Sequence, residues 1–314
     1  MDKNTLDEVI ACLPEGRTFY HYHRDRYVLL LLEQLQREHG YTDIRSLRQT
    51  AHAGLLQKNF VREWLATQGR ADVPLDTLLQ HWPQALPHYT YLLSLGRWGQ
   101  DKYNTWRQTS RPGWNLVLHL NLPMQHQRMM QAACDMDVME LQWRGHPRTD
   151  DRLTLAWSRI DLDWDSNEAL IEEVQSDWVR HVRGLQHRAR FAQERGRQTV
   201  YWRRGEMEVS RLQRYAGFLL AQEKIWHEAM LSATLWFLWH ELGIRRVYYH
   251  SWQTGNAVKH LTPDCAPPRS LYSELPERFG FSRCAQGPDF LEGNRHVQKV
   301  RRRQQDWSWY HWAA

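Results

Sequence analysis

The chain has 314 residues, 42% of them hydrophobic and 25% charged, with a formal net charge of +5 at pH 7. This composition excludes a disordered protein, and the length allows one large domain or two ordinary ones. No apolar run approaches the roughly 20 residues that cross a bilayer, and the polar start of the chain lacks a signal-peptide pattern. We therefore expect a cytoplasmic protein without a membrane partner.

Residues 1–110 are predicted to form a helical N-terminal region. The segments 24–38 and 55–67 carry apolar residues at helical spacing and end at Gly40 and Gly69, respectively. Shorter helical pieces are expected at 75–81 and 89–95.

The pattern changes near residue 111. A strand is predicted at 114–120 and an amphipathic helix at 124–136. Segment 153–161 alternates with period two, and a turn at 165–167 leads to a partner strand at 169–175. The chain is therefore expected to be an α+β protein with its mixed sheet in residues 111–314.

The rest of this region contains an Arg-rich insertion at about 179–221, a helix at 223–242, a strand at 246–251, another helix and a short strand pair within 281–291. Helix 223–242 is apolar nearly all round, which predicts a buried central helix. Its first turn is polar, with Glu223, Lys224, His227 and Glu228. A helix N-terminus attracts anions, so this turn is a candidate site, although a structural Lys224–Glu228 pair is an equally natural explanation.

Four cysteines are scattered along the chain: Cys12, Cys134, Cys265 and Cys284. Without a CxxC motif they predict free thiols rather than a zinc knuckle or a disulfide framework. We expect no metal, since His227-Glu228 and His240-Glu241 do not belong to an HExxH motif. The chain has no Gly-x-Ser-x-Gly elbow, P-loop or Rossmann fingerprint, so those enzyme classes have no support.

The insertion is strongly basic. Between Arg180 and Arg214 there are ten arginines against three glutamates, and a second basic cluster lies at 295–303. Guanidinium groups suit phosphate, and the 17 tryptophans of the chain can stack on bases, so RNA or DNA is an expected partner. A solvated helix face with salt bridges is the alternative. The candidate nucleic-acid residues are Arg183, Arg188, Arg190, Arg195, Arg197, Arg203 and Arg204.

A dense polar cluster ends the strand 169–175. Its members are Glu172, Glu173, Gln175, Ser176 and Asp177. Strand alternation places Glu173 and Glu172 on opposite faces. A carboxylate partly desolvated by Trp178 would have a raised pKa and could act as a base, or could equally receive arginines in a structural network.

The order of elements resembles the GNAT (Gcn5-related N-acetyltransferase) fold. Leu271-Tyr272 and Gly280-Phe281 look like the Tyr…Gly-Phe ending of that family, and Asn256 follows the preceding strand, as an Asn often does there. The resemblance implies an acyl-CoA donor, although the family's Gly-rich pyrophosphate turn is not found before the helix.

The same resemblance implies roles for individual residues. Glu173, or Glu172, would be the general base, and Tyr272 would protonate the leaving thiolate. Lys224 and its turn would hold the phosphate end of the donor.

A second resemblance is to a domain of the large polyvalent proteins of phages and conjugative elements. The shared order is Glu-x-Gln-Ser-Asp-Trp, Lys-x-Trp-x-Glu and a later Tyr…Leu-Pro segment, here running from Glu173 to Pro276. The substrate- or cofactor-binding residues that these resemblances imply are Gln175, Ser176, Asp177, Lys224, Trp226, Glu228 and Asn256.

Together these patterns predict a transferase that moves an acyl or aminoacyl group to an amine, with tRNA or another nucleic acid as partner or substrate. The alternative is a non-catalytic nucleic-acid-binding or mobile-element protein on a degenerate GNAT-like scaffold.

Overall fold

The computed structural model describes residues 1–12, 18–69, 73–100, 108–202 and 205–312. Within these residues the chain is an α+β protein, as predicted, with one eight-stranded mixed sheet, a separate two-stranded hairpin and helices. Arg203 and Arg204, two of the predicted nucleic-acid residues, lie outside the described residues. Within the described ranges, no helix combines the length and the apolar character needed to span a bilayer.

The strands are β1 (Thr18–Tyr22), β2 (Tyr89–Gln100), β3 (Gly113–Asn121), β4 (Thr154–Asp163), β5 (Glu168–Gln175), β6 (Thr199–Trp202), β7 (Gly205–Glu208), β8 (Arg246–His250), β9 (Ser282–Cys284) and β10 (Trp309–Trp312). The large sheet has the spatial order β1-β2-β3-β4-β5-β8-β10-β9, and β6 pairs with β7.

The α-helices are α1 (Lys3–Cys12), α2 (Tyr27–His39), α3 (Ile44–Leu47), α4 (Asn59–Gln68), α5 (Leu75–Leu79), α6 (Met124–Gln131), α7 (Asp177–Gln193), α8 (Val209–Leu220), α9 (Trp226–Trp236), α10 (Trp252–Val258), α11 (Glu274–Arg278), α12 (Asp289–Glu292) and α13 (Arg295–Arg301). Short 3₁₀ turns cover Ala51–Gln57, Val138–Leu141, Pro263–Cys265 and Arg269–Tyr272, and a π-helical turn, Phe237–Glu241, extends α9.

Neighbouring strands of the sheet are antiparallel, with one exception. β5 and β8 are parallel, and their pairing runs from Glu168↔Arg246 to Ile171↔Tyr249. Parallel neighbours need a long crossover, which here consists of α7, the β6–β7 hairpin, α8 and α9. The pairing stops at Ile171, so the polar end of β5, residues 172–175, is not hydrogen-bonded to β8 in the ladder.

Helix α9 is the buried central helix that its all-round apolar sequence predicts. It packs on β3, β4 and β5, and most of its side chains are buried. Its few polar groups are paired, since the hydroxyls of Ser158 and Thr234 lie 2.8 Å apart and Tyr20 donates to Ser232 at 2.8 Å. The polar first turn therefore lies at one end of a well-packed apolar element.

The N-terminal region is helical only in part, which corrects the prediction for residues 1–110. β1 and β2 belong to the main sheet, and the predicted helical piece at 89–95 is part of β2. At Gly96 a Cβ atom would lie 2.6 Å from Cε1 of His119 on the paired strand, so the missing side chain of this glycine makes room for the imidazole ring.

The predicted strand pair within 281–291 is also corrected. β9 forms as expected, but its partner is β10 from the end of the chain, and residues after Pro288 turn into α12. β10 lies between β8 and β9, where Trp309, Tyr310 and Trp312 are buried. Burial of these aromatic rings favours the long-range pairing over a local hairpin.

A β-bulge interrupts β5 at the predicted site. Arg159 of β4 pairs with Glu173 and the next residue, Ile160, pairs with Ile171, which leaves Glu172 as the extra residue. Strict alternation would send the two glutamates to opposite faces. With the bulge, both carboxylates lie beside Lys259.

Candidate functional site

A cleft of about 750 Å³ opens at the N-terminal end of α9, and we call it the α9 cleft. The end of β5, the first turns of α7, the residues before α2 and helix α11 surround it. The lining side chains from these elements and from the start of α9 are Arg24, Asp25, Gln175, Ser176, Arg180, Arg183, Glu223, Lys224, Trp226, His227, Glu228, Glu274 and Arg278. Volumes of this size suit small-molecule and cofactor sites. The lining contains five basic side chains (lysine or arginine) and four carboxylates.

Several of these cations are available to a ligand. Arg183 pairs with Glu223, and Arg278 lies 3.6 Å from Glu228. Arg24, Arg180 and Lys224 are exposed and form no ion pair within the described ranges. The free cations make the mouth of the cleft suitable for an anionic group such as a phosphate.

Glu228 is the carboxylate at the bottom of the α9 cleft. Its side chain is only 3% exposed, and its Oε1 accepts hydrogen bonds from the Tyr22 hydroxyl and from the Asp25 amide, each at 2.6 Å. Burial raises the pKa of Glu228, and the Tyr22 bond offsets part of that rise. A carboxyl group whose pKa is raised towards neutrality, in an open cleft, can exchange protons with a bound ligand.

His227 lies next to this carboxylate and faces the same cleft. Burial, with a contribution from Arg278, lowers the pKa of His227 to about 4, so the imidazole is neutral at physiological pH. Its Nε2 lies 3.4 Å from Nη1 of Arg278. The site therefore combines a buried carboxylate, a neutral imidazole and a guanidinium group.

The structure brings together most of the predicted binding residues. Gln175, Ser176, Lys224, Trp226 and Glu228 all line the α9 cleft, although up to 53 positions separate them in the chain. Ser176 has a structural task there, because its hydroxyl caps α7 by accepting from the Val179 amide at 3.2 Å. Asp177 lies on the other side of α7.

Glu173 and Tyr272, the predicted base and acid, lie together around a separate, very small cavity. Asn256 and Lys259 share this cavity, whose volume is only about 10 Å³, room for one water molecule. Glu173 is ion-paired with Arg159, and burial together with the Glu173 charge raises the pKa of Tyr272 well above 10. The catalytic roles of this pair stay a prediction, and in this structure the pair does not line the α9 cleft.

Glu172 belongs to a fully buried network. Its carboxylate accepts from the amide and hydroxyl of Ser110 at 2.9 and 2.8 Å, and lies 3.2 Å from Nε2 of His250 and 3.3 Å from Nζ of Lys259. Lys259 also donates to the Glu172 carbonyl. Although burial opposes ionisation, these donors lower the pKa of Glu172, so the carboxylate is charged and joins β5 to β8 and α10.

Sequence reasoning missed the partners in this network. Ser110 is 62 residues and Lys259 87 residues from Glu172, and no local pattern connects them. It also missed Tyr22 and Asp25 at the α9 cleft, whose neighbourhood was assigned to a helical region without a site. The one usable signal was the polar first turn of α9.

The arginines predicted to bind nucleic acid lie on the outer surface of α7 and just beyond it. Arg183 borders the α9 cleft, whereas Arg188, Arg190, Arg195 and Arg197 are exposed farther along. Two exposed aromatic rings are close by in the fold, Phe191 on α7 and Tyr201 on β6, with 51% and 71% of their surfaces accessible.

In the described part of the chain, no three His, Cys, Asp or Glu side chains are arranged to hold a metal ion, and the described cysteine side chains, Cys134, Cys265 and Cys284, are free. Comparison of the chain with protein-family models, with curated proteins and with solved structures gives no match.

Proposed function

We propose that this chain is a GNAT-like transferase that moves an acyl or aminoacyl group from a phosphate-bearing donor to an amine, within the α9 cleft. The observation that carries the proposal is Glu228, a buried carboxylate of raised pKa at the bottom of a cleft with free cations at its mouth. Arg24, Arg180 and Lys224 would hold the donor phosphates, because guanidinium and ammonium groups complement phosphate charge.

The proton chemistry follows from the position of Glu228. The amine nitrogen attacks the acyl carbon, and one of its protons passes to the Glu228 carboxylate. The bond to the leaving sulfur or oxygen then breaks, and Glu228 returns the proton to that atom, which leaves as a thiol or an alcohol. Tyr22 and the Asp25 amide occupy Oε1. Oε2 lies 3.6 Å from Nη1 of Arg278, beyond hydrogen-bond distance, and is the oxygen that would take the proton.

This proposal moves the general base from Glu173 to Glu228. Glu173 is held by Arg159 beside a cavity of about 10 Å³, whereas Glu228 faces a cleft of about 750 Å³. A base must come within hydrogen-bond reach of the proton that it takes, so access favours Glu228.

A second candidate function is nucleic-acid binding without catalysis. It is favoured by the exposed arginines of α7 beside Phe191 and Tyr201, a combination suited to backbone phosphates and stacked bases. The lack of a Gly-rich turn before α9 also favours it.

The test is transfer of labelled acetyl from acetyl-CoA, or of a labelled amino acid from aminoacyl-tRNA, to peptide and protein amines. Glu228→Gln keeps the shape of the side chain and should lower kcat by about 10²- to 10⁴-fold, the usual contribution of a general base. The matched control is Glu168→Gln, another buried carboxylate of raised pKa, which lies outside the cleft and pairs with Arg246.

Two outcomes contradict the transferase proposal. One is equal loss of activity in Glu228→Gln and Glu168→Gln. The other is no transfer with either donor, combined with nucleic-acid binding that weakens steeply with salt and with arginine-to-alanine changes in α7, which would establish the second candidate.

A further inference from the structure

A second cavity, of about 390 Å³, lies on the other side of α7 from the α9 cleft. Four indole rings form much of its wall: Trp143, Trp157, Trp178 and Trp202. We call it the Trp cavity. It gathers four of the 17 tryptophans of the chain around one opening, and nothing in the proposed transfer reaction uses them.

Neighbouring groups hold three of the four rings in place, and the fourth, Trp143, is 57% exposed. The Trp178 indole donates to the Tyr215 hydroxyl at 2.7 Å, and the Arg188 guanidinium lies 4.6 Å from the centre of the Trp202 ring. Trp157 lies on β4 and only 3% of its surface is exposed. Fixed aromatic walls lose little conformational entropy when a flat ligand stacks against them.

The polar groups of the Trp cavity favour a neutral flat ring over a cation. The Asp177 carboxylate is already occupied, accepting from Gln175 at 2.8 Å and lying 2.8 Å from His146 Nδ1. Arg148 and Arg180 also line the cavity and would repel an ammonium group.

Two buried donors point to a ligand with acceptors. The indole N–H groups of Trp157 and Trp202 have no hydrogen-bond partner among the described residues, and both side chains line the cavity. A nucleobase offers ring nitrogens and carbonyl oxygens at its edge and two faces for stacking.

We propose that the Trp cavity binds the nucleobase of a phosphate-bearing donor whose phosphates lie in the α9 cleft. The inference rests on the proposed function and deepens it. α7 separates the two sites, with Trp178 and His181 facing the Trp cavity and Val179 and Arg183 facing the cleft, and Arg180 lines both. Arg180 is therefore placed to hold a phosphate between base and reacting group.

Gly184 provides a variant that blocks the cavity without disturbing the core. It lines the Trp cavity within α7, and an added Cβ atom would meet no other atom within 4 Å. Gly184→Leu would therefore place a side chain in the space of the base. Gly217→Leu is the matched control, because Gly217 lies in the neighbouring helix α8 with equally open surroundings and does not line the cavity.

The experiment is calorimetric titration of the full chain with inorganic pyrophosphate and with ADP. Stacking a base on aromatic side chains strengthens binding by about 5- to 150-fold, so ADP should bind more tightly than pyrophosphate by that factor. Gly184→Leu should reduce ADP affinity to that of pyrophosphate and leave pyrophosphate binding unchanged, and Gly217→Leu should change neither. Circular dichroism and Tm of both variants verify that they fold.

The outcomes separate the two proposals. If pyrophosphate binds, ADP binds no more tightly and Gly184→Leu has no effect, the Trp cavity is not a base site, while the phosphate role of the α9 cleft stands. If ADP binding is lost in Gly184→Leu but pyrophosphate never binds, the base site stands and the cleft is not a phosphate site.

Two further ligands identify the source of the nucleobase. Coenzyme A and an RNA oligonucleotide ending in CCA are titrated against wild type and Gly184→Leu. A loss of affinity for coenzyme A alone indicates a coenzyme donor, and a loss for the oligonucleotide alone indicates the end of a tRNA. If neither loses affinity, the assignment of the cavity to a donor base is overturned.

Discussion

Replacing Lys259 by methionine should strongly destabilise the fold. Lys259 and Glu172 are each at least 96% buried, and Nζ lies 3.3 Å from the Glu172 carboxylate. In Lys259→Met the carboxylate keeps its bonds from Ser110 but loses its nearest cation. The variant therefore leaves a buried negative charge with incomplete compensation.

Removing one partner of a buried ion pair costs about 3–5 kcal/mol, much of it from the charge left behind. For a chain of this length each kcal/mol lowers Tm by about 2 °C, so we expect a fall of about 6–10 °C. Without Lys259, burial raises the pKa of Glu172, and protonation at lower pH relieves the unpaired charge. The loss of stability should therefore be larger at pH 8 than at pH 5.

Urea unfolding followed by circular dichroism at both pH values measures the effect. Lys299→Met is the matched control, since Lys299 is exposed on α13 and should change the free energy of unfolding by less than about 0.5 kcal/mol. The double variant Glu172→Gln/Lys259→Met should recover part of the loss. A single variant within about 1 kcal/mol of wild type at pH 8, or an equal loss at both pH values, would refute the argument.

Two further predictions concern titration. Burial lowers the pKa of His119 and of His250 to about 4, against about 6.5 in an unfolded chain, so the unfolded state binds more protons between these values. The free energy of unfolding should therefore be highest above pH 6.5 and fall by up to about 3 kcal/mol per histidine as the pH drops towards 4. Urea midpoints that stay constant over this pH range would contradict the prediction. Tyr22→Phe removes a bond that lowers the pKa of Glu228, so the acidic limb of the pH–rate profile should move to higher pH; an unmoved limb would argue against Glu228 as the base.

Part of the fold follows directly from local patterns. Period-two alternation predicted the strand that is now β4, the turn after it predicted the partner strand β5, and an all-round apolar sequence predicted that α9 is buried. The shared location of Lys224, Trp226 and Glu228 was also predictable, because they lie within five consecutive residues where that helix begins. Such features depend on residues that are close together in the chain, so they can be read directly from the sequence.

The assignment of roles to carboxylates needed the tertiary structure. Glu173 and Glu228 look alike in the sequence, yet Glu173 meets Arg159 across a strand pair whereas Glu228 meets Tyr22 from a strand at the far edge of the sheet. The bulge at Glu172 and the pairing of β10 between β8 and β9 likewise depend on distant segments. The pKa and reach of a carboxylate depend on burial and on the charges around it in space, and only the folded chain determines those neighbours.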